Sequence, residues 1–259
     1  MDSADSDYAN LERITRLSQS HSVWLQVGQL LRGDTSLPWV NAHLIFDSER
    51  IHYVADRASP PPPQLLPPGV SEPHLVLPRH TVLPCLVEAH AHMFLEGAPV
   101  EAQERAAYLT LPAEEMLSRA RARWPNLLRY GIAAIRDAGD KHGVSLALAQ
   151  EAKQPSEGAS PKPWIDSPGS VLYRLGRYGA HIGEPVEDHD SIEASVAARV
   201  GSGADRIKLL VTDTINFKVG EVTAPPQFDS DEVKRFVEAA NQFGKQTMAY
   251  ASGAPGIKN

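Results

Sequence analysis

The sequence predicts an α/β fold in which a parallel sheet follows a small β domain, and three observations carry that expectation. Downstream of Pro84, apolar strand-like runs alternate with amphipathic helical runs, the pattern of parallel strands joined by crossover helices. Upstream, between Ser22 and Val54, short apolar stretches are separated by turn residues, as in a small sheet. Between these regions prolines crowd the segment from Pro60 to Pro84, which reads as a stiff, extended connector.

Residues 1–21 are polar and acidic, and a frayed tail is expected there. The small β domain takes in residues 22–82, with strands at Val23–Val27, Ala42–Phe46 and Ile51–Val54 and a proline-rich connector over 60–78. The rest, 83–259, holds the parallel strands: Thr81–Val87 leading in, then Ile132–Arg136, Trp164–Ser167, Arg206–Val211 and Gln246–Ala251. Met116, Leu117, Ala120, Trp124, Leu127 and Leu128 share one helical face, and Val233, Phe236, Val237 and Ala240 share another. Asp190 with Glu193, and Asp229 with Glu232, have the spacing of a capping box ahead of a helix.

Composition narrows the function. With 259 residues, 42% of them hydrophobic, the chain can bury a substantial core. Acidic residues outnumber basic ones by 32 to 25, which argues against nucleic acid or an anionic membrane surface as the main partner. The single cysteine, Cys85, excludes a disulfide framework and any multi-thiolate metal site within one chain. No apolar run approaches the ~20 residues of a spanning helix. Met1–Gln19 lacks the apolar centre of a secretory signal, so a cytoplasmic location is expected.

Two places carry candidate chemistry. His90-Ala91-His92 closes the apolar run Val82–Val87, and residues two apart on a strand point to the same side. Two imidazoles placed that way can converge on one metal ion. In Arg206–Val211, Ile207, Leu209 and Val211 form one face, suited to packing under helices, while Lys208 faces the other way. An interior lysine loses basicity by desolvation, and its neutral amine can add carbon dioxide to form a carbamate. The plainer reading is a lysine at a strand end that snorkels to water.

Together these residues resemble the metal-dependent amidohydrolase superfamily, in its imidazolonepropionase- and prolidase-like branch. Val82–His92 (V-L-P-C-L-V-E-A-H-A-H) is similar to the family's leading V-x-P-G-L-[IV]-D-[AC]-H-x-H, and Gly131–Gly139 (G-I-A-A-I-R-D-A-G) to its second-strand signature. Gly203–Lys208 (G-A-D-R-I-K) matches the G-A-D-x-I-K segment whose lysine is the family's carbamylated bridge. Phe228–Lys245 resembles the approach to the fifth strand. Cys85 and Glu88 replace the family's usual Gly and Asp at positions that are not ligands.

The resemblance implies the first part, about five βα units, of a TIM-type (β/α)8 barrel preceded by a small β-sandwich-like domain. It implies a hydrolase of amide, cyclic amide or dipeptide-like carbon–nitrogen bonds, working on small molecules with water activated by one or two divalent metals, zinc foremost. His90 and His92 would hold the first ion, and carbamylated Lys208 would bridge to a second. His181, within Arg177–Gly183, resembles a substrate-contacting Gly-Gly-His stretch. A surface loop histidine is its plainer reading. Arg136 and Asp137 read as a structural ion pair or cap, and Tyr173 and Tyr178 as packing residues.

Tyr250 stands where the family has a ligand histidine, and no histidine follows His189. A phenol must lose a proton of pKa ~10 to bind metal, so Tyr250 is a poor substitute. Pro84–Asn259 is also shorter than the ~250 residues of a complete barrel. The competing expectation is therefore a truncated, inactive remnant, or one half of a complementing pair, able to oligomerise through open strand edges.

Overall fold

The computed structural model describes residues 3–57, 59–97, 101–154, 161–216 and 218–258. Contacts divide the chain into two units, Met1–Pro84 and Cys85–Asn259.

The first unit contains α1 (Ser3–Ser18), β1 (Val23–Leu30), β2 (Trp39–Phe46), β3 (Ile51–Ala55), a 3-10 turn at Pro63–Leu65 and β4 (Leu75–Val82). The sheet order is β3-β2-β1-β4; β1 and β3 run antiparallel to β2, and β4 runs parallel to β1. Leu25, Val27, Leu30, Ala42, Leu44 and Leu77 form its core. A bulge follows Val27, where β1 meets β4 so closely that a Cβ on Gly28 would lie 2.0 Å from the carbonyl oxygen of Pro78. Only glycine fits there.

Three expectations change. The amino-terminal tail is helical, because Ile14 and Ser18 recur at helical spacing and are buried. The expected connector ends earlier, since Leu75, Val76 and Leu77 already belong to β4. The single strand expected over Thr81–Val87 is two: β4 closes the first unit, and a new strand starts at Leu86. Pro84, which cannot donate to a ladder, lies between them.

His43 gives this unit a pH-dependent stability. It lies on β2, 8% exposed, and its Nδ1 accepts the indole N–H of Trp24 at 3.2 Å. Burial holds its pKa below the ordinary 6.5. The unfolded chain therefore takes up a proton first as pH falls, and stability contributed above that value is lost as pH drops below it toward the folded pKa. Urea unfolding at about pH 7.5 and about pH 5 should show a loss that His43→Gln diminishes. An equal loss in both proteins would contradict this account.

The second unit opens with β5 (Leu86–Ala91), α2 (Ala102–Tyr108), α3 (Ala113–Ala122), α4 (Trp124–Arg129), β6 (Ile132–Asp137) and α5 (Val144–Lys153). It continues with β7 (Trp164–Asp166), β8 (Val171–Tyr173), β9 (Gly183–Pro185), α6 (Ile192–Gly201) and β10 (Ile207–Leu210). The hairpin β11 (Ile215–Asn216) and β12 (Glu221–Val222), then α7 (Ser230–Gln242), β13 (Thr247–Tyr250) and α8 (Gly253–Lys258) complete it. Two sheets, β5-β6-β7 and β13-β10-β8-β9, are parallel throughout. Because β7 and β8 follow one another across residues 167–170, five successive strand positions run on as β5-β6-β7/β8-β10-β13. This is an open arc of βα units; no closed barrel forms among the described residues.

Alternation along β10 decides which side chains face the helices. Ile207, Leu209 and Val211 pack with Val196, Phe228 and Phe236, whereas Leu210 joins the other core with Tyr173 and Ile135. The capping box forms at Asp229 and Glu232 of α7. At α6 the cap is Ser191, one residue past Asp190, and its Oγ accepts the Ala194 N–H at 3.1 Å. The helical face from Met116 to Leu128 is split between α3 and α4, since Pro125 can occupy only a helix's first turn. No described helix is long and apolar enough to cross a membrane.

Candidate metal centre

The candidate site is built at the carboxyl ends of the parallel strands. His90 and His92 flank the last residue of β5, and their ring centroids lie 5.8 Å apart at an interplanar angle of 63°. The two imidazoles are thus brought together, as their spacing implies.

His92 is held in a defined tautomer. Its Nδ1 lies 2.9 Å from the carbonyl oxygen of Gly139; a carbonyl only accepts, so Nδ1–H donates and the Nε2 lone pair is left for a ligand. Burial lowers the pKa of both histidines, His90 and His92, and the nearby charge of Lys208 adds to this. Both rings are therefore biased toward the neutral, ligating form. The His90 backbone N–H donates to the Glu88 side chain at 3.0 Å.

Asp137, at the end of β6, fixes this arrangement. Its buried carboxylate accepts the Met93 N–H at 2.7 Å and the Gly139 N–H at 2.6 Å, tying the turn after His92 to the loop whose carbonyl orients it. Burial pushes this carboxyl up to about 7, against the pull of those two amides. Gly139 has φ of +99°, and a Cβ there would lie 2.4 Å from Val171 Cγ2. Arg136 does not pair with Asp137. It reaches Asp166 at 3.5 Å, the carboxylate that Arg206 also engages through Nε and Nη2.

Lys208 lies on β10, only 3% exposed, on the side of the strand opposite Ile207 and Leu209. It does not snorkel. Among the described residues its ammonium has no hydrogen bond and no ion pair, and burial lowers its pKa to about 8 despite the nearby charge of Asp137.

The loop after β8 brings His181, whose ring packs on Tyr178 at 5.1 Å and whose charge is felt at His92. Burial lowers the pKa of His181 as well. Tyr250, the last residue of β13, lies in register with Leu210 and packs on Tyr178 with ring centroids 6.2 Å apart. Tyr178 therefore does more than fill space, since it links His181 to Tyr250.

That loop is strapped to the segment after β10. Arg177 Nε pairs with Asp213 at 3.1 Å. The buried Gln227 amide donates to Asp213 at 2.8 Å and to the Tyr178 carbonyl at 2.9 Å, and it accepts the Arg174 N–H at 2.9 Å. Sequence patterning missed this strap, and it undervalued Asp137 as the brace of the histidine pair. The Asp137-Ala138-Gly139 turn directly after a strand is the signal that could have found the brace.

Two neutral imidazoles beside a buried amine suit a borderline divalent ion. No group of three or more His, Cys, Asp or Glu is placed to hold a metal among the described residues. Lys208 is thus the candidate for the remaining protein donor.

This arc of parallel strands has the fold of the matching part of several solved hydrolase structures. Among solved structures it is similar to a Xaa-Pro dipeptidase crystallised with methionine in its active site. That match has a TM-score of 0.67 and 23% identity over 92% of this chain and 58% of that one. Ochratoxinase from A. niger matches at TM-score 0.64 and 21% identity, over 93% of this chain and 58% of its own. Phenylurea hydrolase B matches at 0.66 and 17%, over 92% and 56%. At these identities the likeness is one of fold, and the chain spans a little over half the length of each structure. No family model and no curated protein matches the chain.

Proposed function

We propose that this chain carries the first part of the active site of a metal-dependent hydrolase of carbon–nitrogen bonds, acting on small amide or dipeptide-like substrates. The observation that carries this reading is the His90–His92 pair close enough to Lys208 to feel its charge, with Lys208 buried and without a hydrogen bond or ion pair among the described residues. Two of the similar structures hold small amino-acid-like molecules, one methionine and one, a prolidase, N-methylphosphonate-L-proline. In this reading His90 and His92 hold a divalent ion, zinc foremost. A metal bound there would supply Lewis acidity, activating water and polarising the scissile carbonyl.

The chain's own contributions follow from its geometry. The Gly139 carbonyl keeps the Nε2 of His92 free, and Asp137 keeps that carbonyl in place. Lys208, with its lowered basicity, offers an amine that attacks carbon dioxide; a carbon–nitrogen bond forms, a proton leaves to solvent, and an anionic oxygen donor results. His181 contacts substrate from the β8 loop. The single cysteine suits a reducing compartment, and the cytoplasm is the proposed location.

One observation favours a second reading, a relative that binds metal without turnover. Tyr250, which the resemblance sets where the family has a ligand histidine, packs on Tyr178.

The test uses the 259-residue chain with zinc and 13C-labelled bicarbonate. A carbamate carbon signal that disappears in Lys208→Met, together with zinc binding strengthened by bicarbonate only in the parent, is expected. Zinc binding indifferent to both bicarbonate and Lys208→Met would sink the bridging role. Assays against N-acyl amino acids and dipeptides then separate the hydrolase from the non-catalytic relative.

A further inference from the structure

Beyond the carboxyl ends of β10 and β13, between the β11–β12 hairpin and α8, lies a cavity of about 500 Å3. Its size falls within the range of small-molecule sites. Its walls are mainly apolar, from Ile215 and Val222 on the hairpin, Ala224, Pro225 and Pro226 on the return, and Pro255 on α8. The floor is tightly built: the Ser252 N–H donates to Thr212 Oγ1 at 3.0 Å, and a Cβ on Gly256 would lie 2.2 Å from Thr212 Cγ2. Glu221 is the only ionisable residue among the described residues of the lining, and it is exposed.

The position relates this cavity to the histidine pair. Thr212 follows Lys208 by four residues and Ser252 follows Tyr250 by two, so the floor lies just past the ends of β10 and β13, at most about 13 Å from Lys208. Parallel α/β sheets bind ligands on this side, outside the carboxyl ends of their strands.

We propose that this cavity is the specificity pocket for an uncharged apolar arm, alkyl or aryl, of the amide substrate, and that Glu221 discriminates against anionic arms. The substrate role rests on the hydrolase reading above, whereas the binding property does not. Three prolines and the Gly256–Thr212 contact leave the walls little freedom to collapse, so the space persists for a ligand to fill. Among the described lining residues there is one carboxylate and no cation, and the adjacent Arg177 is already engaged by Asp213 and the Pro225 carbonyl, so a negatively charged arm finds repulsion and no free counter-charge.

The experiment measures binding to the 259-residue chain labelled with 13C at Ile, Val and Ala methyl groups. Phenylethanol is the uncharged probe and phenylacetate the anionic one. The expected result is a saturable shift of the Ile215, Val222 and Ala224 methyl signals by phenylethanol, with phenylacetate weaker by about tenfold or more. Glu221→Gln should narrow that gap, and Val222→Trp should abolish the response by filling the cavity. Ala224→Phe serves the same purpose should Val222→Trp fail to fold.

Absence of the methyl response, equal affinity for the two probes, or parent-like binding by both filled variants would overturn the proposal. Titrations with zinc and with a chelator keep the two readings apart. A pocket response that is the same in both, in a chain that neither binds zinc nor turns over amides, overturns the substrate role and leaves the pocket as a site for apolar molecules. Zinc-dependent turnover without any pocket response overturns the pocket alone.

Discussion

Replacing His92 by alanine is expected to weaken zinc binding at least 100-fold, or by about 2.7 kcal/mol. Loss of a merely supporting partner of a metal-bound histidine costs about 10–100-fold. His92 is itself the proposed ligand, and it is the better oriented of the pair because Gly139 fixes its tautomer. His90 cannot compensate from the exposed end of β5, where nothing comparable among the described residues holds its ring. Competition against a chromophoric chelator gives the affinity, and circular dichroism of the metal-free variant checks that the fold survives. A folded His92→Ala protein whose zinc affinity lies within about threefold of the parent would remove the histidine pair from the metal centre.

Tyr250→His is expected to act in the opposite direction, raising zinc affinity by about tenfold or more. At neutral pH a phenol is protonated and offers a poor donor, while an imidazole is already largely neutral. The backbone at this position is paired to β10 in register with Leu210, so the new side chain starts from a fixed strand end near the site. Loss of the ring contact with Tyr178 should cost about 0.5–1.5 kcal/mol of stability, which thermal unfolding would detect. If amide hydrolysis appears in Tyr250→His and is absent from the parent, Tyr250 accounts for the silence. An affinity unchanged by the substitution would show that residue 250 does not face the metal.

Much of this could be read from the sequence because the deciding signals are local. The alternation in Arg206–Val211 separates Lys208 from the helix-facing residues, and the Asp229–Glu232 spacing marks where α7 begins. The histidine pair needs only the two-residue period of a strand. What escaped were features set by partners distant in sequence. The Gly139 carbonyl meets His92 from 47 positions further along the chain, and no pattern near either residue announces it. β8 and β9 are three residues each and owe their existence to neighbouring strands rather than to an apolar run of their own. The continuous apolar stretch across Thr81–Val87 hid the boundary at Pro84, because hydrophobicity alone does not say which sheet a residue joins.

The strap formed by Arg177, Asp213 and Gln227 bears on when conformational entropy is lost. A loop carrying Tyr178 and His181 would ordinarily be ordered by its ligand, and the cost would be deducted from affinity. Here the ordering is completed during folding, by a buried amide that closes three hydrogen bonds across two loops. A ligand reaching His181 would therefore meet one conformer of the ring rather than select it from many, and the associated free energy resides in the stability of the fold.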